Sequence, residues 1–145
     1  MFDVLKQYEI TDLYNLAALL SATGETYPLY TESLNMESLF NSLEAARHGL
    51  VQKVFWPSSI AAFGDNTPKR SPQFTVQEPT TVYGISKKAG EMWCNYYHKR
   101  YGVDVRSLRY PGWVGWRSNP GGGTTDYAPQ MLQAAVMNEK YSCYL

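Results

Sequence analysis

The chain alternates short apolar runs with longer segments whose apolar residues recur at helical spacing. The apolar runs cover residues 13–17, 53–56 and 103–108, and the helical pattern covers residues 30–47 and 81–101. A strand–helix–strand–helix–strand order is typical of a parallel sheet whose crossover connections are helices. We therefore expect an α/β fold in which ligands bind beyond the carboxyl ends of the strands.

Weaker patterns occupy the rest of the chain. Residues 2–8 resemble the end of a helix, and a loop is expected to run through Ser21, Thr23 and Gly24. The glycine run at 121–123 is interpreted as the hinge of a lid over a substrate. Asp126 is interpreted as the cap of a following helix rather than as a catalytic acid. Residues 141–145 are predicted to begin another strand.

Composition excludes several classes of function. Thirteen basic and thirteen acidic residues cancel, so the charge balance favours neither a nucleic-acid nor a membrane partner. No apolar run approaches the roughly 20 residues that a membrane span needs. Cys94 and Cys143 form no metal-binding spacing, and His48 and His98 carry no ligand pattern. We therefore expect no metal site.

Tyr83 and Lys87 carry the clearest chemistry in the sequence. They are four residues apart at the start of a predicted helix, so they share one face. A tyrosine has a pKa near 10 and is a weak base, but a neighbouring ammonium is expected to lower that pKa. Such a pair suits proton exchange with an alcohol or a carbonyl. The signal is weak by itself, because a chain with 12 tyrosines can contain the spacing by chance.

Two serines strengthen this interpretation. Ser58 and Ser59 end the second predicted strand, upstream of Tyr83, where a hydroxyl could bind the same substrate oxygen. Each serine alone could be an ordinary turn residue. A strand-end serine followed by Tyr-x-x-x-Lys at the start of the next helix is far less common by accident.

Three segments extend this pattern into a family resemblance. They are PSSIAAFG (57–64), TTVYGISKKAGE (80–91) and VRSLRYPG (105–112), and they resemble the catalytic half of the extended short-chain dehydrogenases/reductases, the NAD-dependent epimerase/dehydratase family. LAALLSATGE (16–25), FWPSSIAAFG (55–64) and PGGGTTDYA (120–128) are similar, within that group, to the short-chain type of L-threonine dehydrogenase. The resemblance implies a partial Rossmann-like parallel sheet with flanking helices and NAD as cofactor.

The resemblance also implies roles for individual residues. Tyr83 would be the general base, Lys87 its electrostatic partner, and Ser59 the hydroxyl that orients the substrate alcohol. Cofactor contacts are expected from Leu16, Ala17, Ala18, Asn35, Pro57, Ser58, Tyr83, Lys87, Tyr110 and Pro111. Substrate contacts are expected from Ser21, Thr23, Gly24, Ser59, Tyr83, Thr124 and Thr125.

Two family features are missing from the sequence. It contains no G-x-x-G-x-x-G turn to hold a pyrophosphate, and no acidic residue after a second strand to select the ribose. We therefore expect residues 1–145 to be the central part of an NAD(P)-binding Rossmann-like domain, together with the start of its substrate-binding region. The strand at 13–17 would then present a bare edge. The isolated chain is expected to be weakly stable, self-associated or unable to hold NAD tightly.

The function implied for the intact protein is oxidation of the β-hydroxyl of L-threonine by NAD, giving 2-amino-3-ketobutyrate. The resemblance also implies a cytoplasmic homodimer whose interface is formed by the helices at 30–47 and 81–101. Two alternatives stay open: a nucleotide-sugar epimerase or dehydratase, and a truncated remnant without activity. The Thr-Thr-Asp in the loop at 120–128 favours a small zwitterion over a bulky diphosphate.

Overall fold

The predicted α/β fold with a parallel sheet is confirmed by a computed structural model, which describes residues 1–113, 115 and 125–143. The helices are α1 (Phe2–Gln7), α2 (Ser21–Thr26), α3 (Pro28–Arg47), α4 (Val82–Tyr101) and α5 (Tyr127–Val136). The strands are β1 (Asp12–Tyr14), β2 (Lys53–Phe55), β3 (Ser58–Ser59), β4 (Asp104–Arg106) and β5 (Arg109–Tyr110).

Three of the strands form one parallel sheet in the order β1-β2-β4. Val54 is at its centre, aligned with Leu13 on one side and Val105 on the other. β1 is at one edge, as the sequence predicts, and the Tyr14 side chain is 67% exposed there.

A second, two-stranded sheet was not predicted. β3 pairs in parallel with β5, with Ser58 aligned to Arg109 and Ser59 to Tyr110. The predicted strands at 53–56 and 103–108 are each shorter than expected, because the chain leaves the first sheet and pairs again in the second. Pro57 helps to separate the two sheets, since proline has no N–H to continue a ladder.

Helix α4 has the bounds that the sequence predicts. The hydroxyl of Thr81 accepts a hydrogen bond from the Gly84 amide at 3.1 Å, which caps the first turn. Gly102 ends the helix in the left-handed conformation, with φ at 71°. The bounds of the helix that carries Tyr83 and Lys87 are therefore determined by signals at both of its ends.

Helices α3 and α4 pack together and bury one of two apolar clusters. In the first cluster Trp56 approaches Gly90 of α4 so closely that a Cβ there would lie 2.3 Å from the indole ring. The other buried members of this cluster are Met36, Leu39, Leu43, Cys94, Tyr97 and Val103. The second cluster contains Leu5, Ala45, Val51 and Val54. α3 contributes to both clusters, so it ties the sheet to α4.

Three local predictions are wrong. Residues 21–26 form helix α2 instead of a loop, because packing against neighbouring helices outweighs the poor helix propensity of serine, threonine and glycine. Asp126 makes no side-chain cap, since its own backbone is helical at φ −65° and ψ −21°. Residues 141–143 are in no strand, and the Tyr141 hydroxyl instead donates to Gln130 of α5 at 3.0 Å.

Other predictions fall where the structure gives no description. The glycine hinge at 121–123, the substrate residue Thr124 and the last two residues of the predicted strand at 141–145 lie outside the described residues. Across the described ranges, no helix has both the length and the apolar character needed to cross a membrane.

Candidate active site

An open cavity of about 800 Å³ lies beyond the carboxyl ends of the strands, next to the first turns of α4. Chain segments that follow β1, β2 and β5 form its walls. Eight of the predicted cofactor residues line it: Leu16, Ala18, Pro57, Ser58, Tyr83, Lys87, Tyr110 and Pro111. Of the predicted substrate residues, Ser21, Ser59, Tyr83 and Thr125 line it. The structure therefore brings most of the predicted site residues together in one place.

Tyr83 is on the first turn of α4 and is half-buried in the cavity wall. Burial raises the pKa of Tyr83 above its ordinary value, because the phenolate loses solvation, and a hydrogen-bonding interaction with the Ser59 hydroxyl lowers it in part. Ser59 is therefore the group that most directly favours the ionised form of Tyr83.

Ser58 and Ser59 have different partners although they are adjacent. The Ser59 hydroxyl accepts a hydrogen bond from the Ala61 amide at 3.1 Å. Its own proton therefore remains available for a hydrogen bond to the phenol oxygen of Tyr83. The Ser58 hydroxyl instead donates to the Glu91 carboxylate at 2.5 Å and is 2% exposed. Of the two serines that the sequence could not separate, the contacts favour Ser59 as the one facing the reacting group.

Lys87 is buried, with 3% of its surface exposed. Its ammonium donates to the Pro57 carbonyl at 2.6 Å and lies 4.4 Å from the centre of the Trp56 ring. Burial lowers the pKa of Lys87 from 10.5 to about 8. The Lys87 side chain is therefore fixed in place, and burial makes its protonated form unfavourable.

One electrostatic expectation is wrong in this state of the protein. The ammonium of Lys87 lies 5.3 Å from the centre of the Tyr83 ring, yet the pKa of Tyr83 is raised, because burial is the largest cause. The Pro57 carbonyl, rather than the phenol oxygen, receives the lysine hydrogen bond. A neighbouring ammonium at this distance does not offset the loss of phenolate solvation.

Two buried asparagines of the β1–α3 region fix the cavity wall that follows β1. Asn15 donates to the Ser42 hydroxyl at 3.0 Å and accepts from the Ala17 amide at 3.2 Å. Asn35 accepts from the Leu19 amide at 2.8 Å and donates to the Leu19 carbonyl at 3.2 Å. Asn35 thus contacts the loop and not the cavity. These two hydrogen bonds explain why Asn35 is buried, whereas a polar residue of an amphipathic helix is expected to be exposed.

Some predicted ligand contacts are absent from the cavity wall. Ala17 borders a neighbouring surface pocket. Gly24 is buried against α3, where a Cβ would lie 3.3 Å from Cγ2 of Thr31. Thr23 is half-buried on the same short helix and does not line the cavity either.

Sequence reasoning missed a charged network beside the site. Glu91 receives two hydrogen bonds from the Arg109 guanidinium, at 2.8 and 2.7 Å, as well as the one from Ser58. Gln77 also donates to Glu91, at 3.3 Å. Burial alone would raise the pKa of Glu91, but these hydrogen bonds outweigh burial and hold it below the ordinary value. The available signal was the spacing of Glu91, four residues after Lys87 on the same helix face.

The cavity residues fit the nicotinamide half of a dinucleotide. A buried ammonium and a phenol are hydrogen-bond donors suited to ribose hydroxyls, and Pro57 and Pro111 add apolar surface beside them. Among the described residues, no group of three or more histidine, cysteine or acidic side chains is placed to hold a metal ion.

Known proteins resemble the chain over its whole length. A GalE-like L-threonine dehydrogenase from Cupriavidus necator, in its holo form, superposes with a TM-score of 0.93 at 58% identity over 99% of this chain and 47% of its own. An L-threonine dehydrogenase from Clostridium difficile superposes with a TM-score of 0.92 at 47% identity over 99% of this chain and 45% of its own. Both structures contain this arrangement of helices and parallel strands as about half of a larger chain.

Curated sequences and a family model agree with the structures. An uncharacterized epimerase/dehydratase of Staphylococcus aureus strain USA300 is 50% identical over 100% of this chain and 45% of its own length. The chain thus spans about half the length of the curated relatives that it matches. The model of the NAD dependent epimerase/dehydratase family matches residues 1–145. The cavity, the parallel sheet and these similarities together show that the chain belongs to the NAD dependent epimerase/dehydratase family.

Proposed function

We propose that the intact protein oxidises the β-hydroxyl of L-threonine with NAD and forms 2-amino-3-ketobutyrate. The observation that carries the proposal is the meeting of Tyr83, Ser59 and the buried Lys87 at one cavity wall. Similarity to L-threonine dehydrogenases at 58% and 47% identity supports the choice of substrate. Because the chain spans about half of those proteins, the activity is proposed for the whole protein.

The proton of the substrate hydroxyl would go to Tyr83. Ser59 would donate to the same oxygen or to the phenolate, so that the alcohol is held while the proton leaves. Bound NAD supplies the acceptor for the hydride from the β-carbon. The alcohol loses one proton and one hydride, so the product is a ketone and the charges balance.

Lys87 would bind the nicotinamide ribose and hold it in a fixed position relative to Tyr83. Its side chain is already fixed by the Pro57 carbonyl and the Trp56 ring, so little side-chain entropy is lost when a ligand binds. Its remaining N–H donors can reach hydroxyl groups at the cavity wall. Leu16, Ala18 and Pro111 would exclude water from the reacting atoms.

A nucleotide-sugar epimerase or dehydratase is the second candidate. The Staphylococcus aureus relative at 50% identity bears an epimerase/dehydratase name, and the same Tyr83 and Lys87 would serve a sugar hydroxyl. This alternative needs room for a diphosphate next to the cavity, whereas L-threonine needs a pocket for a small zwitterion.

Substrate-dependent NADH formation distinguishes the two candidates. With L-threonine and NAD, NADH should accumulate, and Tyr83→Phe should lower kcat by at least about a hundredfold because the general base is lost. Tyr8→Phe, which changes a 64%-exposed tyrosine that does not line the cavity, is the matched control. Conversion of a UDP-sugar without net NADH, together with no response to L-threonine, would favour the second candidate.

A further inference from the structure

The first turn of α4 donates a hydrogen bond to a distant part of the chain. The Val82 amide donates to the Glu25 carboxylate at 2.9 Å, across 57 residues of sequence. Two other amides of this turn donate to Thr81. The Gly84 amide donates to its hydroxyl at 3.1 Å, and the Ile85 amide donates to its carbonyl at 2.8 Å. Helix N-termini leave such amides without intrahelical partners, so an outside carboxylate is a well-matched acceptor.

Glu25 belongs to α2, the short helix that borders the cavity. Ser21 at the start of α2 lines the cavity. Tyr83 directly follows Val82, whose amide donates to Glu25. Gly24 of the same helix is buried against α3, where an added Cβ would lie 3.3 Å from Cγ2 of Thr31. The sequence of α2 has poor helix propensity, so its position depends on these two attachments.

We propose that Glu25 is a positioning residue that fixes α2 relative to the tyrosine end of α4. Its carboxylate holds Ser21 and Tyr83 at a constant separation across the cavity. The role in turnover rests on the proposed function, whereas the coupling between the two helices is a property of the chain itself. Glu25 is not a catalytic residue, because it acts through the Val82 amide.

Amide hydrogen exchange measured by mass spectrometry tests the coupling without turnover. Glu25→Ala should speed exchange at both 21–26 and 82–84 by about fivefold, the effect expected for a lost helix cap. Glu25→Gln keeps an acceptor oxygen and should restore slow exchange in both segments. Glu37→Ala is the matched control, because the exposed Glu37 carboxylate accepts a hydrogen bond from Ser33 of its own helix α3. Unchanged exchange at 82–84 in Glu25→Ala would overturn the proposal.

Steady-state kinetics with L-threonine and NAD test the consequence for the site. Glu25→Ala should lower kcat/KM by roughly tenfold to a hundredfold through misplacement of the reacting groups, with Glu25→Gln close to the unsubstituted protein. A fall in Glu25→Ala that Glu25→Gln does not rescue would contradict a positioning role. If the intact protein shows no turnover with L-threonine, the proposed function fails, and the exchange result alone decides whether Glu25 couples the helices.

Discussion

Tyr83 and Lys87 are four residues apart on one helix face, yet burial acts on them in opposite directions. It raises the pKa of the phenol and lowers that of the ammonium, so both groups are shifted toward their neutral forms. A hydrogen-bonding interaction with the Ser59 hydroxyl favours the Tyr83 phenolate and lowers the pKa of Tyr83 in part. At the scale of single residues, the site therefore depends on a serine as much as on the lysine.

Ser59→Ala should make the enzyme require a higher pH. Removal of the hydroxyl takes away the interaction that lowers the pKa of Tyr83. The limb of the kcat/KM profile on which activity rises with pH should therefore shift to higher pH. Activity at neutral pH should fall by about a hundredfold, as for loss of one oriented hydrogen-bond donor. The pH–rate profile measures both effects. Ser33→Ala, on the exposed face of α3, should leave the profile unchanged, and an unshifted profile in Ser59→Ala would contradict the assignment.

Lys87→Met should stabilise the fold near neutral pH while removing activity. The folded pKa of Lys87, about 8, lies below its ordinary 10.5, so the protonated form costs stability below pH 8. That cost is on the order of 3 kcal/mol, and it is relieved as the pH rises from about 8 to 10.5. Loss of the hydrogen bond to Pro57 offsets part of the gain.

Urea unfolding of Lys87→Met and of the unsubstituted protein at pH 7 and pH 10 tests the direction of this pH dependence of stability. The stability advantage of Lys87→Met should shrink at the higher pH, because the unsubstituted protein then no longer carries the buried charge. An advantage that grows with pH would show that the folded pKa of Lys87 is not depressed.

At the scale of elements, Glu91 connects α4 to both strands of the second sheet. It accepts from Ser58 of β3 and from Arg109 of β5, and Gln77 links it to the loop before α4. Since Ser59 follows Ser58 directly, the network helps to determine where Ser59 lies relative to Tyr83. Most of the position of the site thus comes from contacts between elements.

Glu91→Ala should lower the free energy of unfolding by about 2 kcal/mol, because it leaves the half-buried Arg109 guanidinium without its carboxylate. The Glu91 and Arg109 side chains are only 19% and 20% exposed, so solvent screens the pair weakly. Glu91→Gln keeps part of the hydrogen bonding and should lose less. Chemical denaturation measures both variants, and equal stability of Glu91→Ala and the unsubstituted protein would contradict this account.

Elements with strong local signals could be predicted from the sequence, and elements made by tertiary contacts could not. Helix α4 begins at a threonine cap and ends at Gly102, and both signals are local. Helix α2 has no such signals and depends on contacts with its neighbours, among them the hydrogen bond from Val82 to Glu25 and the packing of Gly24 against Thr31. The two-residue strands β3 and β5 are too short for a periodic pattern. Tyr83, Lys87 and Ser59 could be found because they form a motif, whereas Glu91 has no motif of its own.

At the scale of the whole molecule, two of the exposed apolar surfaces of the described structure bear on how the chain associates. One is the edge at β1, where Tyr14 and Leu16 are each 67% exposed. The other is on α4, where Met92, Trp93 and Tyr96 are 65%, 41% and 46% exposed. We expect a second copy of the chain to cover the α4 surface, as the family resemblance implies.

Met92→Glu should weaken or abolish the dimer, because it places a charge at the centre of that surface. Met92 is exposed, so the substitution should leave the fold of each copy intact. Light scattering coupled to size-exclusion chromatography gives the mass, and circular dichroism verifies the fold. Val136→Glu, at an 88%-exposed position on α5, is the control and should not change the mass. A dimer that persists in Met92→Glu would place the interface elsewhere.

The isolated chain provides a test of the edge at β1. A bare edge strand favours self-association, and the sequence contains no G-x-x-G-x-x-G turn for a pyrophosphate. We expect concentration-dependent association and weak NAD binding for the 145-residue chain. Calorimetric titration with NAD and thermal unfolding at several protein concentrations measure these properties. Monomeric unfolding with micromolar NAD affinity would contradict this expectation.

NADH absorbance in the presence of NAD and L-threonine, for the intact protein and for Tyr83→Phe, tests the central claim most directly. We predict NADH formation that depends on L-threonine and nearly disappears in Tyr83→Phe. NADH formation that Tyr83→Phe leaves unchanged, or no response to L-threonine in a protein that binds NAD, would contradict the assignment of this site to threonine oxidation.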